Sequence, residues 1–170
     1  MSSDALTALA TRLGAKLKAQ GLMLATAESC TGGWVAQAVT GVAGSSDWFD
    51  RGFVSYSNAA KQEMLGVSAD TLARHGAVSE QTAREMAAGA LVHSRAQVAL
   101  AITGIAGPSG GSPEKPVGTV CFAWSRKDAS PNAQTRQFEG DRESVRRQSV
   151  AFALQTLLEF LEIRGKAPRA

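Results

Sequence analysis

Ser29 sits in the segment Ala27-Glu28-Ser29-Cys30-Thr31-Gly32-Gly33, after the apolar run Leu22 to Ala25 and before a helix-like segment that begins near Trp34. A strand ending in a small, nucleophile-rich, glycine-containing turn can present a hydroxyl at the carboxyl edge of a sheet. There the N–H groups at the start of the next helix can receive developing negative charge. The same pattern also serves as an ordinary helix start, with Ser29 or Thr31 as the cap. A serine nucleophile needs a base. The two histidines, His75 and His93, fall in helix-like segments without access to a strand end, so a Ser-His-Asp triad is not indicated.

Lys61 is the better base candidate. It follows Tyr56 by five residues, so Tyr56 can project from the end of a strand and Lys61 from the first turn of the helix after it. A free lysine titrates near 10.4, and taking a serine proton at neutral pH requires burial or a neighbouring cation to bring it down. Tyr56 could relay the proton or hold Lys61. Spacing alone is equally compatible with a solvated lysine and a core tyrosine.

These residues must be positioned by a chain of 170 residues with 44% hydrophobic and 19% charged residues, long enough for one continuous core over residues 1–170. Leu6, Leu9, Leu13 and Leu17 form a helical stripe that Gly21 can end. A first strand, Met23 to Ala27, is followed by a helix to about Val42, then a second strand over Gly52 to Ser57 and a short helix capped by Asn58. Ser68 and Ser79 read as two further caps, the second opening a helix of about Glu80 to Arg95. Strands at Val98 to Thr103, Gly118 to Ser125 and Thr135 to Phe138 precede a closing helix from Asp141 to about Ile163. The last two strands have no helix between them, which calls for an antiparallel portion in the sheet. A glycine- and proline-rich loop, Gly104 to Pro113, is too long for a simple turn and marks a functional segment.

Several function classes receive little support. No run approaches the roughly eighteen apolar residues of a membrane span, and Met1-Ser2-Ser3-Asp4 lacks the basic start of a secretory signal, so a cytoplasmic protein is expected. Cys30 and Cys121 belong to no Cys-x-x-Cys pair, and neither histidine has a ligand partner at metal spacing, so no metal is expected. The net charge of +3 comes from scattered basic residues with few aromatics between them, which argues against nucleic acid. Trp34, Trp48, Phe49 and Phe53 supply enough apolar surface near the site for a homo-oligomer.

The segments Ala27 to Gly33, Tyr56-Ser57-Asn58 with Lys61, Leu65-Gly66-Val67, Gly76-Ala77-Val78-Ser79, Thr103 to Pro108 and Lys115 to Val120 together resemble the successive motifs of the CinA C-terminal-domain family, in order over about residues 5 to 162. The resemblance implies a three-layer α/β/α sandwich with a mixed, mostly parallel sheet of about five strands. It implies a nucleophile, base and helper at Ser29, Lys61 and Tyr56, and no cofactor. The stand-alone members that the chain most resembles deamidate nicotinamide mononucleotide, so a small-molecule nucleotide substrate is expected. Under that expectation Ser29 attacks the carboxamide and Lys61 moves the proton. N–H groups of Cys30, Thr31, Gly32 and Gly33, with the Thr103-Gly104 turn, hold the oxyanion. Gly107 lets bare backbone approach the ligand, and Arg142 with Arg146, one helical turn apart, can meet its phosphate. Two alternatives remain open: a Cys30 nucleophile with Glu28 and Lys61 as acid and base, and a non-catalytic nucleotide-binding module.

Overall fold

The computed structural model describes residues 1–165, with side chains to residue 163. Helix α1 (Ser3–Ala19) is capped by the Ser2 hydroxyl and buries the Leu6, Leu9, Leu13 and Leu17 stripe. Strand β1 (Leu24–Glu28) leads to helix α2 (Trp34–Thr40), and strand β2 (Phe49–Val54) to helix α3 (Asn58–Leu65). Helices α4 (Ala69–His75) and α5 (Glu80–Val92) precede strands β3 (Val98–Gly104), β4 (Thr119–Arg126) and β5 (Ala129–Gln137). Helix α6 (Arg142–Gly165) closes the chain, its first turn capped by the Asp141 carboxylate, which accepts from Ser144 N.

The five strands form one mixed sheet in the order β2-β1-β3-β4-β5. The β1 ladders to β2 and β3 are parallel, and β4 runs antiparallel to both of its neighbours. Four of the five strands therefore point the same way. Strand alternation divides the core in two. Leu24, Val98, Leu100, Ile102, Phe122 and Trp124 pack on the side of α1, α2 and α6. Ala25, Ala27, Ala99, Ala101 and Ala123 face α5 with Met86 and Ala87. The alanine-rich second face lets α5 lie close to the sheet, so the architecture is a three-layer α/β/α sandwich.

Four sequence expectations shift. The second strand starts and ends earlier than Gly52 to Ser57: it pairs with β1 from Phe49, and beyond Val54 the Ser55 and Tyr56 carbonyls turn toward Lys61. Ser57, rather than Asn58, caps α3, its hydroxyl accepting from Ala60 N. Strand β5 extends back to Ala129, an edge strand whose run through Pro131 and Asn132 is too polar to show in the hydrophobic pattern. Trp48, expected at the surface, is buried under α1, where Gly14 makes room for its indole. Ser68 and Ser79 cap α4 and α5 as the sequence suggests.

Candidate active site

The chain leaves β1 toward β2 on one side and later crosses back to β3 on the other, so β1 lies where the sheet changes winding direction. Open α/β sheets hold ligands at the carboxyl ends of strands at such a point. Ser29 stands there. Its N–H donates to the Ile102 carbonyl, and Ser55 N donates to the Glu28 carbonyl, so both parallel ladders run one step past β1.

The turn after Ser29 is built by opposite charges on its two sides. Gly32 and Gly33 take φ of +60° and +101°, which a Cβ would strain, and they reverse the chain into α2. Gly33 offers no side chain to cap that helix. The buried Glu28 carboxylate does so instead, accepting from Val35 N at 2.9 Å, from Ala36 N at 3.1 Å and from the Thr31 hydroxyl at 2.7 Å. From the other side Arg146 donates to the Cys30 and Thr31 carbonyls, at 3.0 and 3.2 Å, and stacks over Trp34.

Lys61 comes from the first turn of α3 and is only 1% exposed. Its Nζ donates to Ser29 Oγ at 2.9 Å, to the Tyr56 carbonyl at 2.9 Å and to the Ser55 carbonyl at 3.2 Å. Ser29 Oγ in turn donates to the Tyr56 carbonyl at 3.2 Å. Burial pushes the Lys61 ammonium below the ordinary lysine range. In the neutral amine the two N–H bonds that remain suit the two carbonyls, and the lone pair then faces the Ser29 hydroxyl. Burial acts in the opposite direction on the Cys30 thiol, pushing it up to about 12. At neutral pH Cys30 is a protonated thiol.

These groups open on a cleft of about 350 Å³ lined by Ser29, Cys30, Tyr56, Lys61, the Thr103 to Gly107 segment and Arg142. Tyr56 enters it by main chain and side chain separately. Its carbonyl holds Lys61, while its ring, 61% exposed, stands at the mouth with the hydroxyl 3.4 Å from Arg142 Nη2. Arg142 also donates to the Gly107 carbonyl at 2.7 Å, tying α6 to the loop after β3. The Thr103 hydroxyl donates to the Ala77 carbonyl, so its oxygen is committed to holding the segment before α5.

Ser29, Cys30, Lys61, Tyr56, Thr103, Gly104, Gly107 and Arg142 thus meet in one cleft. Thr31, Gly32, Gly33 and Arg146 lie behind it, in the frame of the turn that follows Ser29. Asn58, Ala77 and Val78 line the cleft and carry no chemistry that a sequence would flag. Their signals were the Tyr56-Ser57-Asn58 motif for Asn58 and the Gly76-Ala77-Val78-Ser79 motif for Ala77 and Val78. Nor does sequence reveal the Ser55 and Tyr56 carbonyls, which every residue type carries.

The sequence and the fold have close counterparts. A nicotinamide-nucleotide amidohydrolase PncC from Enterobacter agglomerans is 56% identical over 95% of this chain and 99% of its own length. A protein of the same name from Pseudomonas putida is 51% identical over 92% of this chain and 97% of its own. The crystal structure of the competence/damage inducible protein CihA from Agrobacterium tumefaciens superposes with a TM-score of 0.89 at 47% identity, covering 95% of this chain and 97% of that one. The family model of the CinA C-terminal domain matches residues 6–161, and the chain belongs to that family.

Proposed function

We propose that the protein hydrolyses the carboxamide of nicotinamide mononucleotide to nicotinic acid mononucleotide and ammonia. The observation that carries this reading is the buried Lys61 amine on Ser29 Oγ, at the mouth-facing end of β1, in a chain 56% identical to an enzyme of that name. Neutral Lys61 takes the Ser29 proton as Oγ bonds to the carboxamide carbon and the carbonyl electrons move onto oxygen. Among the described residues the Cys30 N–H makes no hydrogen bond to a main-chain carbonyl, and it is available to that oxyanion together with the Thr103-Gly104 segment. Collapse breaks the carbon–nitrogen bond, and the proton held by Lys61 leaves with ammonia. Water then hydrolyses the acyl-serine by the same path.

The Ser29 nucleophile is favoured over Cys30 because a thiol raised to about 12 supplies little thiolate. Arg142 uses one nitrogen on the Gly107 carbonyl and keeps other N–H donors at the cleft mouth, suited to the substrate phosphate. The deciding experiment is ammonia release from nicotinamide mononucleotide by the purified chain, measured beside Ser29→Ala. Turnover by the wild type alone supports the reading; no turnover by either rejects it.

A further inference from the structure

Every acceptor that Lys61 Nζ touches is uncharged: the Ser29 hydroxyl and the carbonyls of Ser55 and Tyr56. None of the residues lining the cleft is a carboxylate. The nearest acid in sequence to Ser29, Glu28, lies behind the turn with its oxygens taken by Thr31, Val35 and Ala36. Cys30, from the turn, is the titratable group that acts on Lys61, and burial keeps it protonated. From α6, Arg142 stands at the mouth against Gly107 and the Tyr56 phenol, and Arg146 faces the Cys30 and Thr31 carbonyls. The segments before α5 and after β3 contribute no ionisable side chain to the lining. Among the described residues, Lys61 is thus a buried amine without a counter-ion.

We propose that the site selects carboxamides carried on a cationic ring, because a ring cation brought against Lys61 displaces its proton and leaves the neutral amine that Ser29 requires. The inference rests on the proposed substrate, whose pyridinium nitrogen bears a fixed positive charge. The carboxamide carbon must reach Ser29 Oγ, which is 2.9 Å from Nζ. The ring nitrogen is three bonds from that carbon, so its charge lies within roughly 10 Å of Nζ, close enough in a cleft without a carboxylate for like charge to disfavour protonation. Linkage makes the effect reciprocal: a cationic ligand releases a proton from Lys61, and its affinity rises with pH through the Lys61 titration. A neutral ring does neither. Lys61 then cycles as amine, ammonium and amine, taking the Ser29 proton on attack and passing it to the departing ammonia.

The test compares nicotinamide mononucleotide with the isosteric benzamide C-nucleotide, which has the same sugar and phosphate on an uncharged ring. Both are titrated calorimetrically into Ser29→Ala, in buffers of different ionisation enthalpy, from neutral to alkaline pH. Phosphate protonation is common to both ligands and cancels. The mononucleotide is expected to release more protons, its affinity relative to the benzamide compound rising by up to about tenfold per pH unit within the titration. Lys61→Met is expected to erase the difference. Equal proton release by the two ligands, or a difference that survives Lys61→Met, overturns the proposal. Ammonia release by the wild type reads the substrate assignment separately: turnover without the proton difference rejects this inference alone.

Discussion

Lys61 Nζ lies 2.9 Å from Ser29 Oγ across a sequence separation of 32 residues, and the Tyr56 carbonyl accepts from both. Parallel pairing of β1 with β2 brings the two strand ends together, and the immediate start of α3 swings the lysine back over them. One main-chain oxygen thereby fixes both the Ser29 hydroxyl and the Lys61 amine. A pair so constrained should respond as a unit to substitution.

Ser29→Ala is expected to lower kcat by at least about a thousandfold with a native circular dichroism spectrum, since it removes the proposed nucleophile and little packing. Cys30→Ala should cost no more than a few-fold. The reverse order in steady-state ammonia assays would transfer the nucleophile role to the thiol.

Lys61→Arg should fail nearly as badly as Lys61→Ala, because a guanidinium cannot give up its proton at useful pH. The depressed Lys61 titration also predicts an activity that falls as pH drops through it. For stability the sign is opposite to that of a salt-bridged group. The folded state binds fewer protons than the unfolded one between the lowered value and the ordinary 10.5, so Lys61 weakens the fold at neutral pH and this cost fades toward alkaline pH. Lys61→Met should therefore melt higher than wild type at neutral pH, with the gap closing as pH rises. A variant that melts lower across the whole range would contradict this.

Tyr56→Phe tests the division of labour within one residue. The carbonyl that holds Lys61 and Ser29 remains, so kcat should stay within about threefold, while loss of the phenol beside Arg142 raises KM by no more than about tenfold. Collapse of kcat would instead assign the phenol to proton transfer.

Arg142→Ala is expected to raise KM for nicotinamide mononucleotide and to leave the weaker reaction of nicotinamide riboside nearly unchanged, because the riboside carries no phosphate to lose. Equal losses on the two substrates would confine Arg142 to holding Gly107.

Gly89 in α5 faces the end of α3 so closely that an added Cβ would lie 1.9 Å from the Leu65 carbonyl oxygen. Gly89→Ala must therefore displace α3, the helix that carries Lys61. The expected cost is about 1–3 kcal/mol in chemical denaturation, accompanied by lower kcat. Loss of stability with unchanged kcat would mean that the Lys61 position does not depend on this contact.

Local chemistry explains which features were legible beforehand. The Leu6 to Leu17 stripe, the Ser68 and Ser79 caps and the run Val98 to Thr103 depend on neighbours a few residues away, and each appears where its pattern places it. The strand-end position of Ser29 follows from the same logic, an apolar run stopped by small residues and glycines. The end of β2, the cap of α3 and the start of β5 were missed because each is set by a distant partner: Lys61 drawing the Ser55 and Tyr56 carbonyls, or β4 pairing a polar edge strand.

By itself the sequence determined the order of strands and helices, the position of the Ser29 turn at the end of β1 and, through its motifs, the family. Tertiary structure alone decided how the chosen residues divide their work. Arg142 and Arg146, one helical turn apart on α6, part company, the first at the cleft mouth and the second behind the Ser29 turn. Glu28 becomes a helix cap, and Tyr56 acts on Lys61 through a carbonyl that sequence cannot distinguish from any other. The physical reason is that a side chain's role here depends on which buried groups surround it, and burial and long-range hydrogen bonding exist only once β1, β2 and α3 have come together.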